Sequence, residues 1–279
     1  MKKTFAKIAF LALLVSGGLF ASAQKHELVK LWQTDSVFKV PESVLFDGNN
    51  TLYVSNIDGT EPWGKDGKGS IGKLNADGKG IVAEWVTGLN APKGMGLYKG
   101  KLYVADLSDL VVIDIATAKI DKKIAVTGAE GLNDVSVGSD GVVYVSDSKK
   151  NKIYKVTNGV TEDYLTDMKG ANGVLMRGHD FYFLDAGGIY KMNPDRSRTM
   201  MADGMDGGTD GIENIQGNDF IVSCWAGALW YIHADGTKEL LKDTRAEKGN
   251  TADIGIDAKK KIIFVPTFWR NSVIAYQVK

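Results

Sequence analysis

The chain has 279 residues, 34 Lys+Arg against 34 Asp+Glu for a formal net charge of zero, and one cysteine. Balanced charge with no basic run after the first few residues offers nucleic acid no electrostatic footprint and gives no steering toward anionic membranes. The lone Cys224 excludes an internal disulfide, and with no histidine near it in sequence it reads as a buried, inert thiol.

The first predicted element is an address. Lys2, Lys3 and Lys7 make a basic start, IAFLALLV is an apolar run, and Ala21-Ser22-Ala23 is a small-residue cleavage site before Gln24. Segment 1–23 therefore reads as a secretory signal peptide, with length and flanks unsuited to a spanning helix. No cysteine follows the cleavage site, so lipid attachment there is excluded. The expected mature protein, 24–279, is exported, periplasmic or secreted, and free of the membrane.

Next in order comes a lone strand over Glu27–Gln33, and then a motif that returns six times. A polar residue opens a short apolar strand, a turn follows, and an aromatic strand comes next. The copies begin at Glu42 (ESVLFDGNNTLYVSN), Lys93, Asn133, Asn172, Asp210 and Asp253, at intervals of 51, 40, 39, 38 and 43 residues. Hairpins with a period near 40 are the signature of a propeller in which each repeat is one four-stranded blade.

In the third unit the predicted strands are Asp134–Val137, Val142–Ser146, Lys152–Val156 and Thr161–Leu165. Gly141, Asn151 and Asn158-Gly159 between them suit tight hairpins. No long amphipathic helix follows the first segment. The last unit offers only three strands, ending with Val273–Val278, so the N-terminal strand is expected to join it and remove two exposed sheet edges. The fold class is all-β, a closed six-bladed β-propeller.

Between the second and third strands of the first unit lies an insertion, 57–70, polar, glycine-rich and carrying Trp63. It reads either as a surface loop or as a lid over the channel mouth. The glycine-rich stretch 203–211 reads as the loop entering the fifth blade. It lacks the repeat of a calcium-loop array and the helix of a phosphate loop.

Equivalent positions on successive blades face one axial channel, so the six openers should converge. One explanation is a wet channel whose polar strand ends satisfy loop backbone. The other is a hard-cation site, because carboxylate and amide oxygens crowded together supply the coordination that Ca²⁺ accepts. None of His26, His179 and His233 opens an inner strand. All three are expected at the surface, and a histidine metal site is not expected.

The openings Pro41-Glu42-Ser43, Gly131-Leu132-Asn133-Asp134, Gly170-Ala171-Asn172-Gly173 and Thr209-Asp210-Gly211 resemble the senescence-marker-protein/gluconolactonase (regucalcin-like) family of six-bladed propellers. The similarity runs over essentially all of 24–279. It implies one divalent cation held by Glu42, Asn172 and Asp210, with Ca²⁺ first and Zn²⁺, Mn²⁺ or Mg²⁺ as alternatives. It also implies that Asn133-Asp134 lies near metal or substrate and that Asp210 deprotonates an attacking water. Lys93 and Asp253, the remaining openers, complete the expected substrate-facing set.

The chain departs from the family pattern in three places. Ser43-Val44 follows the Glu where the family has Gly-Pro, Lys93 takes the second opener, and no residue matches the family's sugar-contacting arginine. The activity implied is hydrolysis of a lactone or similar cyclic ester, with a small molecule as partner. The alternative is a non-catalytic propeller that binds a ligand or protein around a structural ion. Trp63, Trp225, Trp230 and Trp269 are the candidates for its binding face, with core packing the default for strand tryptophans.

Overall fold

In the computed structural model, the structure describes residues 25–206 and 208–279; the segment read as a signal peptide lies outside them. Six four-stranded antiparallel sheets surround an axis. Five are built from consecutive strands, blade three for example from Leu132–Val137, Val143–Asp147, Lys152–Thr157 and Val160–Leu165. The turn at Asn158-Gly159 has φ of 52° and 84°, the paired positive values that a two-residue hairpin demands.

The sixth blade closes the ring. Its three C-terminal strands run inside to outside as Gly255–Asp257, Ile262–Pro266 and Val273–Val278, and Leu28–Gln33 is the outermost strand. Leu28 faces Val278 and Gln33 faces Ile274, with one bulge between Lys30 and Trp32. Glu27 and Lys279 exchange backbone hydrogen bonds of 3.0 Å beyond the strand end. The strand Leu28–Gln33 thus covers the edge that Val273–Val278 would otherwise expose, as the strand count predicts.

The core lies between blades. Leu102 and Val104 on the second strand of blade two are fully buried against Tyr53, Ile71 and Leu89 of blade one. Leu52, Val54 and Leu74 of blade one pack on Phe264, Val273 and Ala275 of blade six. Each such side chain contributes roughly 1.5–3 kcal/mol through removal from water. A second strand buried on both faces must be apolar on both, which is why these strands read as near-continuous apolar runs. Cys224 sits at 0 % exposure in the blade-four/blade-five cluster, where burial pushes its thiol up to about 12. It is inert, as expected.

Candidate functional site in the axial channel

The inner strands bring the openers to the axis. Three short devices fix where each one enters. At the end of the second strand of blades two, three and four stands an aspartate that accepts the backbone N–H groups leading into the inner strand. Asp106 takes Asn90 and Ala91, Asp147 takes Glu130 and Gly131, and Asp185 takes Lys169 and Gly170. These charge-assisted bonds hold the entries to the strands bearing Lys93, Asn133 and Asn172.

The second device is the glycine that follows an opener. A Cβ on Gly173 would sit 2.5 Å from the carbonyl oxygen of Asp210, and one on Gly211 would sit 2.6 Å from Asp253 Oδ1 and Ile254 N. Neighbouring inner strands approach so closely at the axis that only glycine fits. Third, side chains stitch blade to blade. Asp134 accepts from Val135 N and, across the gap, from Val174 N, both at 2.7 Å. Ser43 Oγ donates to Asp253 Oδ2 at 2.5 Å, and Asp253 N donates to the carbonyl of Glu42 at 2.9 Å.

The openers divide between two chambers. Glu42, Lys93, Asn133, Asn172 and Asp210 line a mouth cavity of about 300 Å³, together with Pro62, Trp63, Ser148, Gly208, Trp225 and Phe268. Asp134 and Asp253 instead line an inner chamber of about 270 Å³ among Phe46, Leu97, Val137 and Glu213. The expected substrate-facing set is therefore split, with Lys93 and Asn133 at the mouth and Asp134 and Asp253 behind it.

At the mouth, Asn172 Nδ2 donates to Asp210 Oδ1 at 3.0 Å and Lys93 Nζ lies 3.7 Å from Glu42 Oε1. Asn133 Nδ2 donates to Ser148 Oγ, which donates in turn to the carbonyl of Ala171. Glu42 Oε2 and Asn172 Oδ1 are buried and have no hydrogen-bond partner among the described residues. A buried orphaned oxygen costs roughly 1–3 kcal/mol unless something else satisfies it, and more when it is charged. Two carboxylates and an amide oxygen, two of their atoms unpartnered, are the donor set that hard divalent cations take.

Acid groups crowd this channel, and their affinities for protons show it. Burial first, and then the Glu42 charge, push Asp210 well above the usual carboxylate range, with Lys93 pulling it back. Burial raises Glu42, again against Lys93. Burial and then the charges of Asp134 and Glu42 raise Asp253 well above its ordinary value. Asp134 is pushed up to about 7 and Glu213 to about 8, in both cases mainly by burial. One ammonium, Lys93, is not enough positive charge for this set.

The 57–70 insertion reaches over the mouth. The Trp63 ring lies 4.3 Å from Lys93 Nζ and 4.9 Å from Lys149 Nζ, so two ammonium groups hold it there through its π face. Trp225 stands edge-on to Phe268 with ring centres 5.5 Å apart. Phe268 itself is buried with a φ of 48°, a left-handed backbone that a bulky side chain rarely adopts and that clusters at binding sites. Trp230 packs at the edge of the blade-five core instead, and Trp269 is 45 % exposed outside the cavity. Sequence reasoning missed Pro62, Ser148 and Phe268; the run Phe268-Trp269-Arg270-Asn271 between two strands was the available signal for the last.

The histidines correct the expectation of three surface residues. His179 is exposed, but His26 and His233 are half-buried and converge on Glu239 at the outside of blade five, far from the channel.

No family profile and no curated protein sequence matches the chain. Solved structures do match in fold. A gluconolactonase from Xanthomonas campestris superposes with a TM-score of 0.67 at 14 % identity, covering 90 % of this chain and 89 % of that one. The six-bladed propeller is shared with gluconolactonases. A catalytically inactive virginiamycin B lyase from Staphylococcus aureus, solved with quinupristin, matches with a TM-score of 0.62 at 15 % identity, covering 91 % of this chain and 99 % of that one. A chain of a nidogen/laminin complex matches with a TM-score of 0.66 at 16 % identity, covering 78 % and 84 %. Similar folds therefore occur in a gluconolactonase, a lyase and a chain of a nidogen/laminin complex, and function must be argued from the site.

Proposed function

We propose that this protein is an exported, divalent-cation-dependent hydrolase of a lactone or similar cyclic ester. The observation that carries the reading is the pair of buried, unpartnered oxygens, Glu42 Oε2 and Asn172 Oδ1, at a mouth shared with Asp210. Glu42, Asn172 and Asp210 would hold the cation, with Ca²⁺ the first choice for an all-oxygen set. When bound, it supplies a Lewis acid that polarises the ester carbonyl.

The chain's own residues do the rest. Asn172 keeps Asp210 oriented through its 3.0 Å bond, and Asn133, fixed by Ser148, presents a polar group to the substrate. Asp210, relieved of its proton, accepts one from the attacking water. A metal-ligating aspartate is a weak base, which suits an activated ester and not an amide. Trp63 and Trp225 shield the mouth from bulk water and give a ring-shaped substrate apolar faces to rest on.

The aromatic mouth, and Lys93 already compensating Glu42, also suit a second reading: a propeller that binds a small ligand without turnover. The two readings separate in one experiment. Full-length protein stripped with chelator is melted with and without Ca²⁺, Mg²⁺, Mn²⁺ and Zn²⁺, and the loaded protein is offered a lactone panel monitored by acid release. Stabilisation with acid release supports the hydrolase. Stabilisation without turnover on any lactone supports the binding protein, and no stabilisation by any ion in both parent and Lys93→Met removes the cation from both.

A further inference from the structure

We propose that His26, His233 and Glu239 form a transition-metal site of the zinc class, which clasps the segment entering the closing strand to the outer strand of blade five. His26 Nδ1 lies 3.0 Å and His233 Nε2 lies 2.7 Å from the same oxygen, Glu239 Oε1. All three ligand atoms fall within 4.8 Å of one another. Two imidazole N–H groups aimed at one carboxylate oxygen occupy the place where a cation would replace both protons. A tetrahedral ion with bonds of about 2.0–2.2 Å sets its ligands roughly 3.3 Å apart, near the two spacings to Glu239 Oε1, while the two ring nitrogens, no more than 4.8 Å apart, would draw together around it.

The groups around the three are placed as supports. The second oxygen of Glu239 accepts the backbone N–H groups of Lys25 and His26 at 2.6 and 3.0 Å, fixing the carboxylate independently of any ion. The His26 ring stacks on Tyr231 at 3.9 Å and 10°, and the Tyr231 hydroxyl is anchored on Asp219 at 2.7 Å. His233 begins a turn closed by its N–H to Thr237 O and by Gly236 N–H to its own carbonyl. Outer-sphere bonds of this kind orient metal ligands and tune their basicity. One side opens on a surface groove of about 530 Å³ beside Asp235 and Thr237, which gives an entry path and room for a water as fourth ligand.

Two imidazoles and one carboxylate select the borderline cations, Zn²⁺ above all, over Ca²⁺ or Mg²⁺. The site is thus chemically distinct from the all-oxygen mouth, with which it shares no lining residue. Its consequence is mechanical. His26 lies just before the strand that closes the ring, so an ion there would tie that strand to a second blade.

The test uses the full chain, stripped with chelator and titrated with Co²⁺ as the probe. The parent should develop the visible bands of tetrahedral Co²⁺, bleached by equimolar Zn²⁺. His26→Ala and His233→Ala should each weaken binding by at least about tenfold, since loss of outer-sphere partners alone costs that much. Asp210→Asn should leave the bands unchanged, which separates this site from the mouth. His26→Gln serves if the alanine variant is unfolded by circular dichroism, because residue 26 precedes the strand and leaves its register alone. Absence of the bands, or bands indifferent to both His26 substitutions, would overturn the clasp.

Discussion

The ammonium of Lys93 lies 3.7 Å from a carboxylate oxygen of Glu42, with the two side chains only 3 % and 4 % exposed. Lys93 is thus a resident positive charge in a channel of raised acids, and Trp63 covers it from outside. An ion bound by Glu42 would share that carboxylate with the ammonium. On the proposed reading, the second opener therefore sets how strongly the mouth would hold an ion.

Lys93→Met tests this balance. Without a cation the variant leaves Glu42 buried and unpaired, a loss of about 3–5 kcal/mol by analogy with other broken buried pairs. It should melt well below the parent in chelator. Added Ca²⁺ should restore more stability to the variant than to the parent, because the competing charge is gone. Equal Ca²⁺ gains in the two proteins would show that ammonium and cation do not share Glu42.

Asp210→Asn keeps the side chain's shape and removes its charge. At a hundredfold excess of ion over its dissociation constant the parent should gain about 2.7 kcal/mol, and the variant should lose most of that gain. Acid release from any lactone that the parent hydrolyses should vanish even at saturating metal. Retained turnover with weakened metal binding would remove Asp210 as the base and leave it only a ligand.

The blades and their closure were readable in the sequence because a propeller repeats one local rule. Val273–Val278 appears as predicted, and the lone N-terminal strand starts at Leu28, one residue late. The channel openers were readable for the same reason, since equal blade positions converge. What the repeat cannot show is depth along the axis. Asp253 opens its unit like Asp210, and Asp134 directly follows the opener Asn133, yet Asp134 turns to cap Val174 N and Asp253 to meet Ser43, so both face the inner chamber. Trp63 was visible only as composition, because the two lysines that hold it belong to blades two and three. The His26–Glu239–His233 cluster exists only because ring closure carries the N-terminal segment back beside blade five, and no periodicity encodes that.

Removal of residues 25–33 should test the closure. It strips blade six of its outer strand, exposes the edge of Val273–Val278 and uncovers Phe264, on which Trp32 packs. The cost should reach several kcal/mol, comparable to the whole stability of a domain. A truncated protein that melts like the parent would show that the last blade is complete without this strand.

Glu213 supplies a pH signature of the inner chamber. It lies half-buried beside Asp134 and Asp253, the other titratable groups lining that space, with no cation among the lining side chains. Burial, and then the Asp134 charge, push it up to about 8. Its unfolded value is about 4.3. Between those values the folded state holds a proton that the unfolded state has released, so stability falls as pH rises. The contribution is complete below about pH 4 and is lost as pH climbs through 8. Glu213→Gln keeps the hydrogen-bonding shape of the neutral acid and cannot ionise. The variant should match the parent only at about pH 4 and below, and exceed it at pH 9 by about 2 kcal/mol, the chamber's water offsetting the remainder of the burial cost. Asp134, at about 7, leaves a residual slope in both proteins. Urea unfolding at a series of pH values measures the difference directly, and parallel profiles for parent and Glu213→Gln would place the Glu213 carboxylate in bulk water and not in the channel.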